Sequence, residues 1–284
     1  MGTPPGLLAL RPVFFDYRSM FNLTPTVRNL LIANIILLVI SSNMSNIPVV
    51  EYGGLFPIGS QLFQPWQFLT HMFLHAGWGH LIANMFGLIS FGPLLEQRWG
   101  GQRFLFFWLV CGFGAGLLYE GVRMYELRPL TELQSSLTRN PDGGDFSEFV
   151  RTTSGNSLYV VDDLALASAL QRDPTNATLR STVVARTQEL YQRVLASPMV
   201  GASGALFGLL FAFAYLFPNT ELMLLFFPFP IKAKYFVFFY ALYELYGGVH
   251  RTPGDTVAHF AHLGGLLVGF LVVRFWEQGR ERFY

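Results

Sequence analysis

Apolar residues occur along the chain in six long stretches, each close to the length that an α-helix needs to cross a lipid bilayer. A hydrocarbon core of about 30 Å requires about 20 apolar residues in a helix. The first stretch is short, and the fifth carries Lys232, Lys234 and Glu244 at its ends. The pattern predicts an all-α fold, a polytopic membrane bundle of six transmembrane helices. The stretches cover approximately residues 27–42, 79–97, 102–121, 199–217, 231–248 and 256–276.

A polar segment separates the third stretch from the fourth. Residues 122–197 hold nearly half of the charged side chains of the chain. We therefore expect this segment to be a long soluble insert between transmembrane helices 3 and 4. It divides the membrane core into residues 27–121, with spans 1–3, and residues 198–276, with spans 4–6.

The placement of Lys and Arg near the ends of the apolar stretches predicts the orientation, because cytoplasmic loops carry the excess of basic residues. Under a six-span count, ten basic residues fall on one side, and the short loops of the other side hold only Arg251. We expect residues 1–26 to be a cytoplasmic or interfacial leader, residues 277–284 to be a cytoplasmic tail, and the insert to be extracytoplasmic. The expected location is a bacterial inner membrane. The ten residues are Arg11, Arg18, Arg28, Arg98, Arg103, Lys232, Lys234, Arg274, Arg280 and Arg282.

The composition agrees with a membrane protein and excludes several other classes. Charged residues make up 13% of the chain, about half of the usual fraction in soluble proteins. A net charge of +1 provides no basic surface for nucleic acid, so we expect no nucleic-acid partner. Cys111 is the single cysteine and cannot form a disulfide within the chain.

Polar residues that require explanation lie in the first turns of predicted spans two, four and six. Span two begins with His80 and Asn84, span four with Ser203, and span six with His262. At 1.5 Å per residue, all four lie within roughly 10 Å of the same membrane face. Polar groups inside a membrane are costly and are therefore functional candidates.

Ser203 and His262 are suited to nucleophilic catalysis. Ala261, Gly265 and Gly269 form a stripe of small residues on one span, and a similar face with Gly201, Ala205 and Gly208 lies on the other, so the two helices can pack closely. A neutral imidazole of His262 could then take the hydroxyl proton of Ser203. The alternatives are a serine that serves helix packing and a histidine bonded to a backbone carbonyl.

The residues around this pair have both catalytic and structural interpretations. His80 and Asn84 share a helix face and, with the Ser203 backbone N–H, could bind an oxyanion, or they could simply link helices. Phe207 lies one turn after Ser203 and could stack on the imidazole, or it could be a core aromatic. Asp255 is about 10 Å along the helix from His262, too far to touch it, and is expected to cap span six.

A metal site is a further alternative for the histidines of the chain. The sequence has no H-E-x-x-H spacing of a metalloprotease, so we assign neither a metal nor any other cofactor. The histidines that such a site would use are His71, His75, His80, His259 and His262.

These motifs resemble those of the rhomboid intramembrane serine proteases, with a six-span core of the bacterial type. The elements that carry the resemblance are His80-x-x-x-Asn84, Glu96-Gln97-Arg98-Trp99-Gly100, Gly201-Ala202-Ser203-Gly204 and Ala261-His262-Leu263-Gly264-Gly265. The resemblance implies a catalytic dyad of Ser203 as nucleophile and His262 as general base. It also implies an oxyanion site of His80, Asn84 and the Ser203 backbone, with Gly201 beside it.

Three departures from the family pattern accompany the resemblance. Gln67 follows Trp66 where the family often has arginine, so the anchoring of that loop differs. Phe207 keeps a stacking face where the family often has tyrosine. The insert is unusually long, and the sequence names no partner for it.

The function predicted from the resemblance is that of a serine endopeptidase that cleaves transmembrane proteins near the outer membrane face. Its expected partners are transmembrane substrates and the lipid bilayer. A rhomboid-like protein that binds transmembrane clients without cutting them is the alternative, although a binding role requires neither Ser203 nor His262. A small transporter is a third possibility, but the chain shows no duplicated halves.

Overall fold

The computed structural model describes five parts of the chain. These are residues 23–44, 46–154, 160–224, 227–250 and 257–278. Most of the predicted leader, Asp255 and the end of the predicted tail lie outside these ranges.

Within the described ranges the chain is mostly helical, as the apolar pattern predicts. A 3-10 turn at His71–Phe73 precedes the second long helix. The helices in chain order are α1 (Pro25–Asn43), α2 (Val49–Gly53), α3 (Gln67–Thr70), α4 (Trp78–Trp99), α5 (Gly101–Arg139), α6 (Gly143–Ser154), α7 (Val160–Arg172), α8 (Ala177–Val194), α9 (Ser203–Leu216), α10 (Ala233–Val249) and α11 (His259–Trp276).

Four of the described helices, α1, α4, α5 and α11, are long and apolar enough to cross a membrane. Helix α9 is apolar but has 14 residues, and α10 has 17 residues. These two helices occupy the positions of the predicted fourth and fifth spans. The structure therefore supports a membrane helical bundle, and the count of six spans stays a prediction.

The third long helix extends beyond the apolar stretch 102–121 that predicts span three. Helix α5 continues without a break to Arg139 and has 39 residues, a length of about 58 Å. A helix need not end where its sequence becomes polar, because i,i+4 ion pairs stabilise its exposed turns. Arg128 and Glu132 form such a pair at 2.9 Å.

The segment 122–197 has a hydrophobic core of its own. The last turns of α5 pack against α6 and α8, and α7 packs against the same two helices. The rings of Phe146 and Phe149 are fully buried in the core that these helices form. Arg186 of α8 holds Asp163 of α7 through two N–H···O bonds of 2.6 and 2.9 Å. The last turns of α5 and helices α6 to α8 thus form a helical subdomain.

Two short strands lie between α9 and α10, in the part of the chain that the six-span pattern predicts to be a connection between spans four and five. Strands β1 (Glu221–Leu224) and β2 (Phe227–Lys232) pair antiparallel, with Glu221 opposite Lys232. Two prolines in β2 do not prevent this, since proline is tolerated in the edge strands of such a ribbon. The predicted all-α fold thus holds for most of the described chain, with this strand pair as an exception.

Gln67 anchors the loop before α4, although it stands where the family pattern often has arginine. Its side chain is fully buried. Its amide oxygen accepts from the backbone N–H groups of Phe56 and Gln64 at 3.3 and 3.1 Å. Its amide nitrogen donates to the carbonyl groups of Leu62 and Glu51 at 2.9 and 3.2 Å.

Residues at the C-terminal end of α4 connect this helix to the start of α1 and to the residue after α11. Glu96 accepts from the N–H groups of Thr26 and Val27, 2.9 Å each, and so satisfies the exposed donors of the first turn of α1. Trp99 donates its indole N–H to Glu277, just after α11, at 2.9 Å. Glu96 and Trp99 of the Glu96–Gly100 motif therefore have a structural role as links between helices.

Helices α9 and α11 approach closely at two pairs of glycines. A Cβ at Gly265 would overlap the carbonyl group of Gly204, and a Cβ at Gly269 would lie 2.8 Å from Cα of Gly208. The predicted small face of α11 is correct, and Gly208 of the predicted α9 face contacts it, but the second glycine of that face is Gly204. Ala205 instead faces α5 near Gly112.

Replacing Gly265 with alanine is expected to destabilise the bundle, because the backbones of α9 and α11 must separate. Overpacking of this kind costs about 1–3 kcal/mol. The matched control is Gly121→Ala, at an exposed helical glycine where an added Cβ would meet no atom within 4 Å. Thermal unfolding in detergent should show a lower Tm for the first variant only. Equal Tm values would contradict this packing.

Candidate active site

Ser203 is the first residue of α9, and the local sequence explains why it is accessible. Gly201 precedes it with a φ of +132°, a left-handed conformation that favours glycine. The chain therefore turns sharply into the helix and leaves Ser203 half-buried at its tip. The first N–H groups of a helix have no acceptor within it, so this end can stabilise a negative charge.

His262 reaches Ser203 from α11. Its Nε2 lies 2.8 Å from Ser203 Oγ, within the range of a nucleophile–base hydrogen bond. The glycine contacts between α9 and α11 allow this short distance. With its hydrogen on Nδ1, the imidazole accepts the hydroxyl proton at Nε2.

Phe207 lies flat against the imidazole of His262. The two ring centroids are 4.3 Å apart and the planes differ by 8°. Phe207 also contacts Tyr240 of α10, with centroids 4.8 Å apart and the ring planes tilted by 55°. The ring of His262 is therefore held against Phe207, which in turn packs against α10.

A carboxylate that sequence reasoning missed lies behind His262. Oε2 of Glu244, on α10, is 2.9 Å from Nδ1 of His262 and 2.6 Å from Nδ1 of His259. Sequence reasoning weighed only Asp255 as a carboxylate for His262 and missed Glu244, which lies on another helix. A usable signal was present, because a glutamate in a predicted membrane span is costly and requires a partner.

His80 and Gly201 lie together beside Ser203. A Cβ at position 201 would be 2.8 and 2.9 Å from Cε1 and Nε2 of His80 and 3.7 Å from Ser203 Oγ. Glycine at this position therefore lets the His80 ring approach the serine. The side chain of Asn84 is buried one turn further along α4 and donates one amide hydrogen to the His80 carbonyl at 2.9 Å.

The five histidines of the alternative metal site do not converge on one point. His71 contacts the Gln67 carbonyl through Nδ1 at 2.9 Å, and His259 bonds to Glu244. His75 is buried in the loop before α4, and its burial, with the charge of His80, lowers its pKa to about 4. In the described part of the chain, no three His, Cys, Asp or Glu side chains are grouped to hold a metal ion.

Comparison with known protein families gives one match that covers most of the membrane part of the chain. The sequence profile of the Rhomboid domain matches residues 62–126 and 175–276, more than half of the chain. The chain belongs to the Rhomboid family. The predicted resemblance is therefore confirmed, and the unmatched residues between the two ranges fall in the helical subdomain.

Three relatives of this rhomboid-family chain are a plant protein and two fungal proteins. RHOMBOID-like protein 6, mitochondrial, of Arabidopsis thaliana is 46% identical over 19% of this chain and 18% of its own length. Rhomboid protein 1, mitochondrial, of Saccharomyces cerevisiae is 37% identical over 29% of this chain and 23% of its own length. A mitochondrial rhomboid protein of Schizosaccharomyces pombe is 27% identical over 75% of this chain and 52% of its own length.

These relatives bear on location as well as on family. The chain spans about half, or less, of the length of each of these three proteins. The helices and the family support an integral membrane protein. The three relatives carry mitochondrial names and are eukaryotic, so they give no support to the expected bacterial inner membrane.

Proposed function

We propose that this chain is an intramembrane serine endopeptidase that cleaves transmembrane proteins near the outer membrane face. The observation that carries the proposal is the 2.8 Å contact between His262 Nε2 and Ser203 Oγ at the end of two packed membrane helices. A serine that served only helix packing would need no imidazole at its hydroxyl.

In the proposed reaction, His262 takes the hydroxyl proton as Ser203 attacks the scissile carbonyl carbon. The carbonyl oxygen becomes an oxyanion, which the backbone N–H of Ser203 and the side chains of His80 and Asn84 stabilise. His262 then delivers the proton to the leaving amine. Water attacks the resulting acyl-enzyme by the reverse sequence of proton transfers and frees Ser203.

The same proposal includes the membrane topology. Six spans would be formed by α1, α4, α5, α9, α10 and α11, with both termini in the cytoplasm. The polar residues of the site lie at the N-terminal ends of α4, α9 and α11. The insert is attached between α5 and α9 at that end of the bundle, which supports an extracytoplasmic insert close to the site.

An assay that distinguishes cleavage of a transmembrane reporter from its mere binding tests this function. The purified protein is reconstituted in vesicles with tagged transmembrane reporters, and fragments are identified by mass spectrometry. We expect a new pair of fragments cut near the outer end of the reporter span. Stable association without fragments, unchanged in Ser203→Ala, would instead favour a client-binding protein.

The helical subdomain is expected to be dispensable for the chemistry. Replacing residues 126–194 with a short Gly/Ser linker should leave fluorophosphonate labelling of Ser203 intact, because each proposed catalytic residue lies in or beside α4, α9 or α11. If the subdomain controls access, cleavage of a full-length membrane substrate should change several-fold while labelling stays constant. Lost labelling in a folded deletion variant would show that the subdomain helps to build the site.

A contact between the subdomain and the loop before α3 provides a milder test of the same idea. Gln192 accepts a hydrogen bond from the backbone N–H of Gln61 at 3.3 Å. Gln192→Ala removes this contact and leaves the subdomain core in place. We expect its labelling rate to equal that of the wild type.

A further inference from the structure

We propose that Glu244 is a positioning residue for the general base, so that Ser203, His262 and Glu244 act as a triad across three membrane helices. The inference rests on the proposed function and goes beyond it, because a dyad needs no carboxylate. His259 has a supporting part, since it holds the carboxylate in place.

The geometry places the carboxylate on the side of the imidazole opposite the serine. His262 has Nε2 at 2.8 Å from Ser203 Oγ and Nδ1 at 2.9 Å from Oε2 of Glu244. Glu244 and His259 are 2% and 3% exposed. The Nδ1 contact of His262 lies off the N–H axis of the ring, and catalytic hydrogen bonds commonly align only when substrate is bound.

The carboxylate selects the form of His262 that the reaction requires. A neutral imidazole carries its hydrogen on one nitrogen and accepts at the other. An ionised carboxylate beside Nδ1 favours the hydrogen at that nitrogen, which leaves Nε2 free to accept the Ser203 proton. The opposite tautomer would place N–H against the hydroxyl and could not act as a base.

The carboxylate also compensates the charge that forms during attack. When the proton moves from Ser203 Oγ to Nε2, His262 keeps the hydrogen on Nδ1 and becomes an imidazolium. Glu244 takes no proton and remains a negative partner at 2.9 Å. A new cation in a buried site would otherwise be costly, so the carboxylate stabilises the transition state more than the ground state.

His259 and Gly247 keep Glu244 in position. His259 Nδ1 lies 2.6 Å from the same oxygen, Oε2, and so holds the buried carboxylate when His262 changes its charge. A Cβ at Gly247 would lie 2.6 to 3.0 Å from the His259 ring. The absence of a side chain at position 247 thus gives the His259 ring its space against α10.

The competing explanation is that Glu244 only links α10 to α11 through His259. The two roles predict different results for two variants. A purely structural link predicts that Glu244→Gln and His259→Gln lower the Tm alike, and that neither selectively changes kcat. A triad predicts that Glu244→Gln lowers kcat far more than His259→Gln does, because the carboxylate of Glu244 contacts Nδ1 of His262 directly, whereas His259 acts on it only through Glu244.

The experiment measures kcat, KM and Tm for the wild type, Glu244→Gln, Glu244→Asp and His259→Gln in reconstituted vesicles. We expect Glu244→Gln to lower kcat by about 10²–10⁴ with little change in KM. Glu244→Asp retains the charge but withdraws it from Nδ1, so its kcat should lie between those of Gln and the wild type. The Glu244→Asp variant is expected to fold even if Glu244→Gln does not. A wild-type kcat in both folded variants, or in Glu244→Asp when only that variant folds, would overturn the proposal.

A double variant tests whether Glu244 acts through His262. Effects of residues that act as one unit are strongly non-additive. In the His262→Ala background, Glu244→Gln should therefore cause no further loss in the rate of fluorophosphonate labelling. A full additional loss would overturn the inference.

Different results would reject the proposed function and the triad. Wild-type cleavage by Ser203→Ala would reject the protease itself. Loss of cleavage in Ser203→Ala, together with wild-type kcat in Glu244→Gln, would leave the protease in place and reject only the triad.

Discussion

Substituting His262 by alanine is expected to lower kcat for cleavage of a membrane-tethered reporter by about 10⁶-fold, to the detection limit. The imidazole is the only base within hydrogen-bond distance of the Ser203 hydroxyl among the contacts of the described residues. Without it the hydroxyl remains protonated and is a weak nucleophile. Ser203→Ala should fall to the same level, and the double variant should be no worse, since the two act as one unit.

Two controls accompany the His262 measurement. His250→Ala changes another histidine near the end of α10, whose Nδ1 contacts the Tyr246 carbonyl at 3.3 Å, and should retain activity. EDTA should not inhibit, because no metal is assigned. Full activity in His262→Ala would refute the mechanism, and inhibition by EDTA that zinc reverses would favour a metal site.

The second large effect is expected at the oxyanion site. Removing one oxyanion donor typically lowers kcat by about 10²–10³. His80→Ala and Asn84→Ala should therefore each reduce kcat more than they raise KM, because the interaction forms only as the carbonyl oxygen gains charge. Initial rates over a range of substrate concentrations in vesicles provide both constants.

Asn43 offers a matched control for Asn84. Both side chains donate to the backbone carbonyl four residues earlier in their own helix, at 2.8 and 2.9 Å, but Asn43 is at the end of α1 and exposed. If Asn84 were only a helix contact, both alanine variants would keep kcat. Unchanged kcat in His80→Ala and Asn84→Ala would remove the oxyanion assignment.

Ser203, His262 and Phe207 show how much of the candidate site the sequence could predict. Their positions in the first turns of two apolar stretches, beside small residues, indicated that a serine and an imidazole would meet. The structure places them 2.8 Å apart, with Phe207 stacked on the ring. Helical periodicity and membrane depth are local properties, so they can be read without knowing which helices are neighbours.

Glu244 shows what the sequence could not provide. Its role depends on α10 packing beside α11 and on the rotation of α10, and neither is fixed by the apolar pattern of a helix that is hydrophobic on most sides. The extension of α5 to Arg139 could not be predicted for a related reason. A change to polar composition at residue 122 marks the limit of the apolar surface, whereas the backbone hydrogen bonds that define a helix continue to Arg139.

Labelling with a fluorophosphonate tests the central claim most directly, because the reagent reports an activated serine without needing a known substrate. The folded protein in vesicles is treated, digested and mapped by mass spectrometry, with Ser90→Ala as the control. The hydroxyl of Ser90 donates to the Phe86 carbonyl within α4 at 2.7 Å, so that variant should label as the wild type does. We predict an adduct on Ser203 that is lost in Ser203→Ala and strongly reduced in His262→Ala. A folded wild-type protein with no adduct on Ser203, or equal labelling in His262→Ala, would contradict the account.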